Sequence, residues 1–168
     1  SNKLDMMNAG QLRDFLTKNN LSFSPADDKN ANTDWQSAVE RPSALSFNHN
    51  LSFSGGNDHG SYMASINYFN QQGIIRTSAL QRFIAHLNVE QSTLNDKVRF
   101  NLNVTNSQSD ADNVPLRNLV LLQMINHLPV SPVKNPDGSD FENFITQNYY
   151  NPVSMIHNAP PNTKYNNV

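Results

Sequence analysis

Any chemistry in this chain would have to come from a short list of side chains. There are five histidines, His49, His59, His86, His127 and His157. None lies three or four residues from another, the spacing that puts two metal ligands on one helix face. Asp110, Asp112 and Asn113 resemble the opening of a calcium loop, but its glycine and closing glutamate are missing, so they read as surface loop. Asp137 and Asp140 flank a turn. No Gly-x-Ser-x-Gly elbow is present, and Gly55-Gly56 lacks the lysine and following helix of a phosphate loop. Cysteine is absent, which removes thiolate sites and disulfides. The sequence therefore reads as no enzyme, with no metal and no cofactor. Aromatic side chains remain. Trp35, Phe141, Tyr149 and Tyr150 are the candidate ligand or partner contacts. Phe144 lies among the last three, and the group reads either as a stacking patch or as a loop's own small core.

The elements that would position them are dominated by period-two alternation. Four segments each carry one apolar face. They are Phe47, Leu51 and Phe53 in 46–54, and Tyr62, Ala64, Ile66 and Tyr68 in 61–70. Phe83, Ala85, Leu87 and Val89 follow in 81–91, then Val98, Phe100, Leu102 and Val104 in 97–106. Ser, Asn, Arg and Glu fill the positions between. Such alternation predicts strands with opposite faces. One wet side fits a half-buried soluble sheet or the wall of an outer-membrane barrel. The fold class expected is mainly β, an antiparallel up-and-down meander of about four strands with short helices in the long loops.

The connections sort by length. Gly55–Gly60 and Ser92–Asp96 read as tight turns, whereas Asn70–Leu80 and everything after residue 107 read as long. In an up-and-down sheet this puts the long connections at one end of the strands, as in outer-membrane barrels. The loop regions hold helical patterns. Asn8 can cap a helix with Leu12, Phe15 and Leu16 at helical spacing. Thr33 can cap a short helix holding Trp35, Ala38 and Val39. Pro115 opens a helix through Leu128. No signal peptide is visible at Ser1, and no apolar run is long enough for a transmembrane helix. Charged residues make up 15% of the chain, against about 25% in an ordinary soluble domain, and the net charge is -2. Nothing in that balance suggests a nucleic-acid partner.

Several phrases occur together in one order. They are Asn32-Thr33-Asp34-Trp35-Gln36, His49-Asn50-Leu51-Ser52-Phe53-Ser54-Gly55-Gly56-Asn57, Tyr68-Phe69-Asn70-Gln71-Gln72-Gly73-Ile74-Ile75 and Gln81-Arg82-Phe83. Pro132-Val133, Asp137-Gly138 and Asn151-Pro152-Val153 follow in the tail. In this order the chain resembles the SusC/RagA-like TonB-dependent transporters of Bacteroidetes outer membranes. The resemblance implies part of a plugged barrel of about 22 strands, energised by TonB and lidded by a SusD-like surface lipoprotein, importing a glycan or peptide. It implies that residues 1–45 are an extracellular-loop region, 46–107 four barrel strands and 108–168 a long extracellular loop with one helix. No plug domain is expected within the chain. Phe47, Ile66, Leu87 and Phe100 would then meet outer-membrane lipid, while Asn50, Asn67, Asn88 and Asn101 would look into the lumen. In an isolated fragment the apolar face would be covered by the helices around Leu12–Phe15 and Leu116–Leu128, or would drive self-association. The alternative is a soluble, β-rich carbohydrate-binding surface module without a transport role.

Overall fold

The computed structural model describes residues 3–24, 27–158 and, for the backbone, 163–167. Ser1, on which the signal-peptide reading rests, lies outside the described residues. Two compact units emerge. The first comprises Ser1–Ser43, Ile74–Thr77 and Val114–Pro160, and the second Ala44–Gly73, Ser78–Asn113 and Pro161–Val168.

The second unit is the antiparallel meander. Its strands are β1 (Ser46–Asn57), β2 (Gly60–Gln72), β3 (Ala79–Thr93), β4 (Val98–Asp112) and β5 (Thr163–Asn167), in that spatial order. The short β5 adds to the four expected strands, so the tail does return to the sheet, with Ser107 opposite Asn167 and Ala111 opposite Thr163. β4 runs past the boundary read at residue 107 to Asp112. The connection between β2 and β3 shrinks to residues 73–78, because Asn70, Gln71 and Gln72 pair with Gln81, Leu80 and Ala79. Backbone pairing needs no apolar face, so the strands continue where the alternation fades.

The turn between β1 and β2 is also shorter than Gly55–Gly60. Both glycines lie within β1, and Asn57 pairs with Gly60 around Asp58-His59. Gly55 is needed there. A Cβ at that position would come within 2.7 Å of the Tyr62 phenol oxygen, so the ring lies over bare backbone. The Asn57 side chain accepts from the His59 N–H at 2.9 Å and fixes the turn.

The first unit is helical and irregular. Helix α1 (Ala9–Lys18) starts at a reciprocal cap: the Asn8 side chain accepts from the Gln11 N–H while Gln11 Oε1 accepts from the Asn8 N–H. Helix α2 (Trp35–Val39) is capped by Asp34, not Thr33. The Thr33 hydroxyl is engaged elsewhere, donating to the Ser131 carbonyl at 2.7 Å. Helix α3 (Arg117–Asn126) begins later than Pro115 suggests, since Leu116 takes the left-handed conformation at φ 51° and supplies no side-chain cap. Helix α4 (Pro152–His157) is a second helix in the tail; Asn151 caps it and proline opens it. Trp35, Val39, Ile75, Val120, Met124, Val153 and Ile156 form the core of this unit. Within the described residues no helix is long and apolar enough to cross a membrane, which says nothing of a β-barrel.

Candidate functional site

In the sheet, direct antiparallel register sorts the side chains onto two faces. On one, Leu51, Ile66 and Ala85 form a level, and Phe53, Ala64, Leu87 and Val104 the next. Aromatic side chains bound this band. Towards the ends of the strands nearest residues 73–78 stand Phe47, His49, Tyr68 and Phe83, with the Phe47 and Tyr68 ring centroids 6.2 Å apart. Towards the tight turns stand Tyr62 and Phe100. From Tyr62 to Tyr68 the band spans about 20 Å along the strand. It contains no Asp, Glu, Lys or Arg. Phe47, Leu51, Phe53, Ile66, Leu87, Phe100 and Val104 all stand exposed.

The opposite face is polar and cross-linked from strand to strand. Asn67 Nδ2 donates to Asn48 Oδ1 at 2.7 Å, and His86 Nδ1 lies 2.9 Å from Thr105 Oγ1. Asn101 Nδ2 donates to Glu90 Oε1 at 3.3 Å. The Arg82 guanidinium sits 5.5 Å from the centre of the Phe69 ring. These groups are the hydrogen-bonding inventory of a wetted wall.

In the helical unit the four candidate aromatics have different fates. Trp35 is a core residue, 2% exposed. Its indole N–H donates to the Leu128 carbonyl at 2.9 Å. Tyr149 is half-buried, and its hydroxyl accepts from the Leu128 N–H at 2.6 Å. These two meet on either side of His127, Trp35 edge-on at 4.2 Å between centroids and Tyr149 stacked at 4.1 Å. Phe141 is half-buried; its backbone N–H donates to Val133 and its carbonyl accepts from Asn151 Nδ2. Tyr150 is exposed. Sequence reasoning passed over Ile145 at the tip of the same loop, although Phe144-Ile145 is an apolar pair between polar neighbours. Phe144 is 94% exposed and Ile145 76%. A cleft of about 550 Å³ lies beside them, lined by Glu142, Phe144, Tyr149 and Tyr150 among others. Another cleft, of about 540 Å³, lies between Lys3–Asn8 and residues 125–129.

Electrostatics here support structure. Lys3 holds the Asp34 carboxyl down at about 2, helped by the Ser37 N–H. Arg13 grips Asp28 with two hydrogen bonds, at 3.0 and 2.8 Å, and lowers its pKa. Burial alone pushes His127 down to about 4. Burial likewise raises Tyr149. Among the described residues no group of three His, Asp or Glu could hold a metal ion.

A sheet with one apolar face bounded by aromatics and one hydrogen-bonding face meets its counterpart in sequence comparison. "TonB-dependent receptor P26" of Formosa agariphila is 31% identical over 129 residues, covering 74% of this chain and 12% of that receptor. The chain is similar to a stretch of TonB-dependent receptors. "TonB-dependent receptor SusC" of Bacteroides thetaiotaomicron is 40% identical over 79 residues, 47% of this chain and 8% of SusC. "TonB-dependent receptor P3" of Formosa agariphila is 39% identical over 84 residues, 50% of this chain and 8% of that receptor. The chain thus spans 8–12% of the length of these curated relatives. No protein-family model matches it. The similarity to TonB-dependent receptors agrees with a mainly β meander as a piece of a barrel.

Proposed function

We propose that this chain is a section of a TonB-dependent outer-membrane importer, supplying wall strands from the sheet and surface loops from the helical unit. The observation that carries this reading is the uncharged apolar band between aromatic side chains, with a hydrogen-bonded polar face behind it. Acyl chains would cover the band, and cargo would pass the polar face. The parent would import a glycan or peptide, drawing energy from TonB, with a SusD-like lipoprotein closing the outer end. Residues 1–45 and 108–168 would meet that lid or the cargo, with Tyr150 and its neighbours Phe144 and Ile145 as the most reachable contacts. Trp35, Phe141 and Tyr149 would shape the loops behind them. The test is uptake by the natural host. Cells lacking the gene or lacking TonB should lose import of one oligosaccharide or peptide class, and the gene should restore it. Unchanged uptake, with the protein recovered in the soluble fraction and binding sugar there, would favour a free-standing carbohydrate-binding module.

A further inference from the structure

We infer that His127 is an acid-released latch that holds the loop carrying Phe144 and Ile145 against α3. The geometry is specific. The imidazole is enclosed between the Trp35 edge and the Tyr149 face, and is 5% exposed. Both ring nitrogens are shut off from water and have no hydrogen-bond partner. The next residue closes both sides of the clamp, since the Leu128 carbonyl takes the Trp35 N–H and the Leu128 N–H goes to the Tyr149 hydroxyl. On the preceding turn Gln123 continues the seam. Its Nε2 donates to the Asn148 carbonyl at 2.6 Å, and its Oε1 accepts from the Tyr150 N–H at 3.3 Å.

A neutral imidazole in this pocket already leaves one donor and one acceptor unsatisfied. An imidazolium would bury two donors and a full charge. No counter-charge bonds either ring nitrogen. From α2 it meets the neutral Trp35, and from the loop the Tyr149 phenol. Of the nearby charges, Lys3, Asp5 and Asp34 line the adjoining cleft, where Lys3 and Asp34 pair with each other, and Asp27, close enough to act on Tyr149, accepts from Asn143; none of them bonds the imidazole. Protonation therefore favours the opened clamp, in which water reaches the ring. The burial that keeps the closed form neutral down to about pH 4 sets the range over which the latch weakens.

Hydrogen exchange on the whole chain tests this, after correction for the intrinsic pH dependence of exchange. Protection of the amides at 143–150 should fall by about tenfold per pH unit between about pH 6.5 and 4, while amides of β2 and β3 hold. His127→Phe should remove that slope. Because this variant has to fold, the ring-proton shifts of His127 in the unaltered chain give an independent reading, with a midpoint below 5 expected. A His127 midpoint near 6.5, or an equal slope in a folded His127→Phe, would overturn the inference.

Discussion

Asn151 concentrates more obligations than any other side chain described. It is fully buried. Nδ2 donates to the Val133 and Phe141 carbonyls at 2.8 and 2.9 Å, while Oδ1 accepts from Val153 at 2.9 Å as the cap of α4. Asn151→Ala removes a cap and leaves the Phe141 carbonyl without its Asn151 donor, while the Val133 carbonyl keeps only the Phe141 N–H. We expect a loss of about 2–4 kcal/mol, read from denaturant unfolding followed at Trp35; a loss below about 0.5 kcal/mol would mean that the loop repacks. His127 sets the pH dependence at the same scale. Its folded pKa lies below the unfolded value of 6.5, so between these two values the unfolded chain holds the extra proton. The His127 contribution to the stability of the helical unit should therefore be full above about pH 6.5, fall by about 3 kcal/mol on the way to pH 4, and level off below, where protonation of Asp28 and Asp34, both held low in the fold, carries the loss further. Acid titration of the unfolding midpoint checks this, and His127→Phe should flatten it. The Asn151-Pro152 pair was legible as a cap and first turn, and it reads equally as the end of a loop. Nothing local in the sequence placed His127 between Trp35 and Tyr149, because that meeting joins positions far apart in the chain.

Among the elements, strands were the most legible, since alternation writes each face directly into the sequence. What alternation hid was their length. The polar continuations of β2, β3 and β4 pair through backbone alone, and β5 is too short to carry a pattern. Turn chemistry was misread for a related reason: Gly55-Gly56 looks like a turn, yet both lie within β1, where Gly55 admits the Tyr62 ring. The connection between β3 and β4 offers a test at this scale. Leu94, Asn95 and Asp96 all have positive φ, at 56°, 54° and 65°. Asn and Asp tolerate this region, whereas Leu does so only against its Cβ. Leu94 is exposed and loses little packing on replacement. Leu94→Gly should stabilise the sheet by about 1 kcal/mol, measured as a raised midpoint in detergent. A destabilisation would show that the Leu94 side chain has a partner in the full-length protein.

For the whole molecule, the two sheet faces predict opposite responses to charge. Leu87→Arg sits at the middle of the apolar band and should cost about 2–4 kcal/mol when the full-length protein folds into lipid. Asn88→Arg, one residue on and facing the polar side, should cost little. Refolding into vesicles measures both, and equal costs would mean that the faces are not distinguished by lipid. The most direct measurement uses the absence of cysteine from this stretch. Single cysteines placed in turn at residues 84–89 of the membrane-embedded, full-length protein can be spin-labelled and their accessibility to oxygen and to a water-soluble nickel complex compared. We expect strict alternation, with Ala85, Leu87 and Val89 reached by oxygen from the acyl chains and Ile84, His86 and Asn88 by the aqueous complex. Uniform aqueous accessibility along β3, or alternation in the opposite phase, would contradict the assignment of this sheet as a barrel wall.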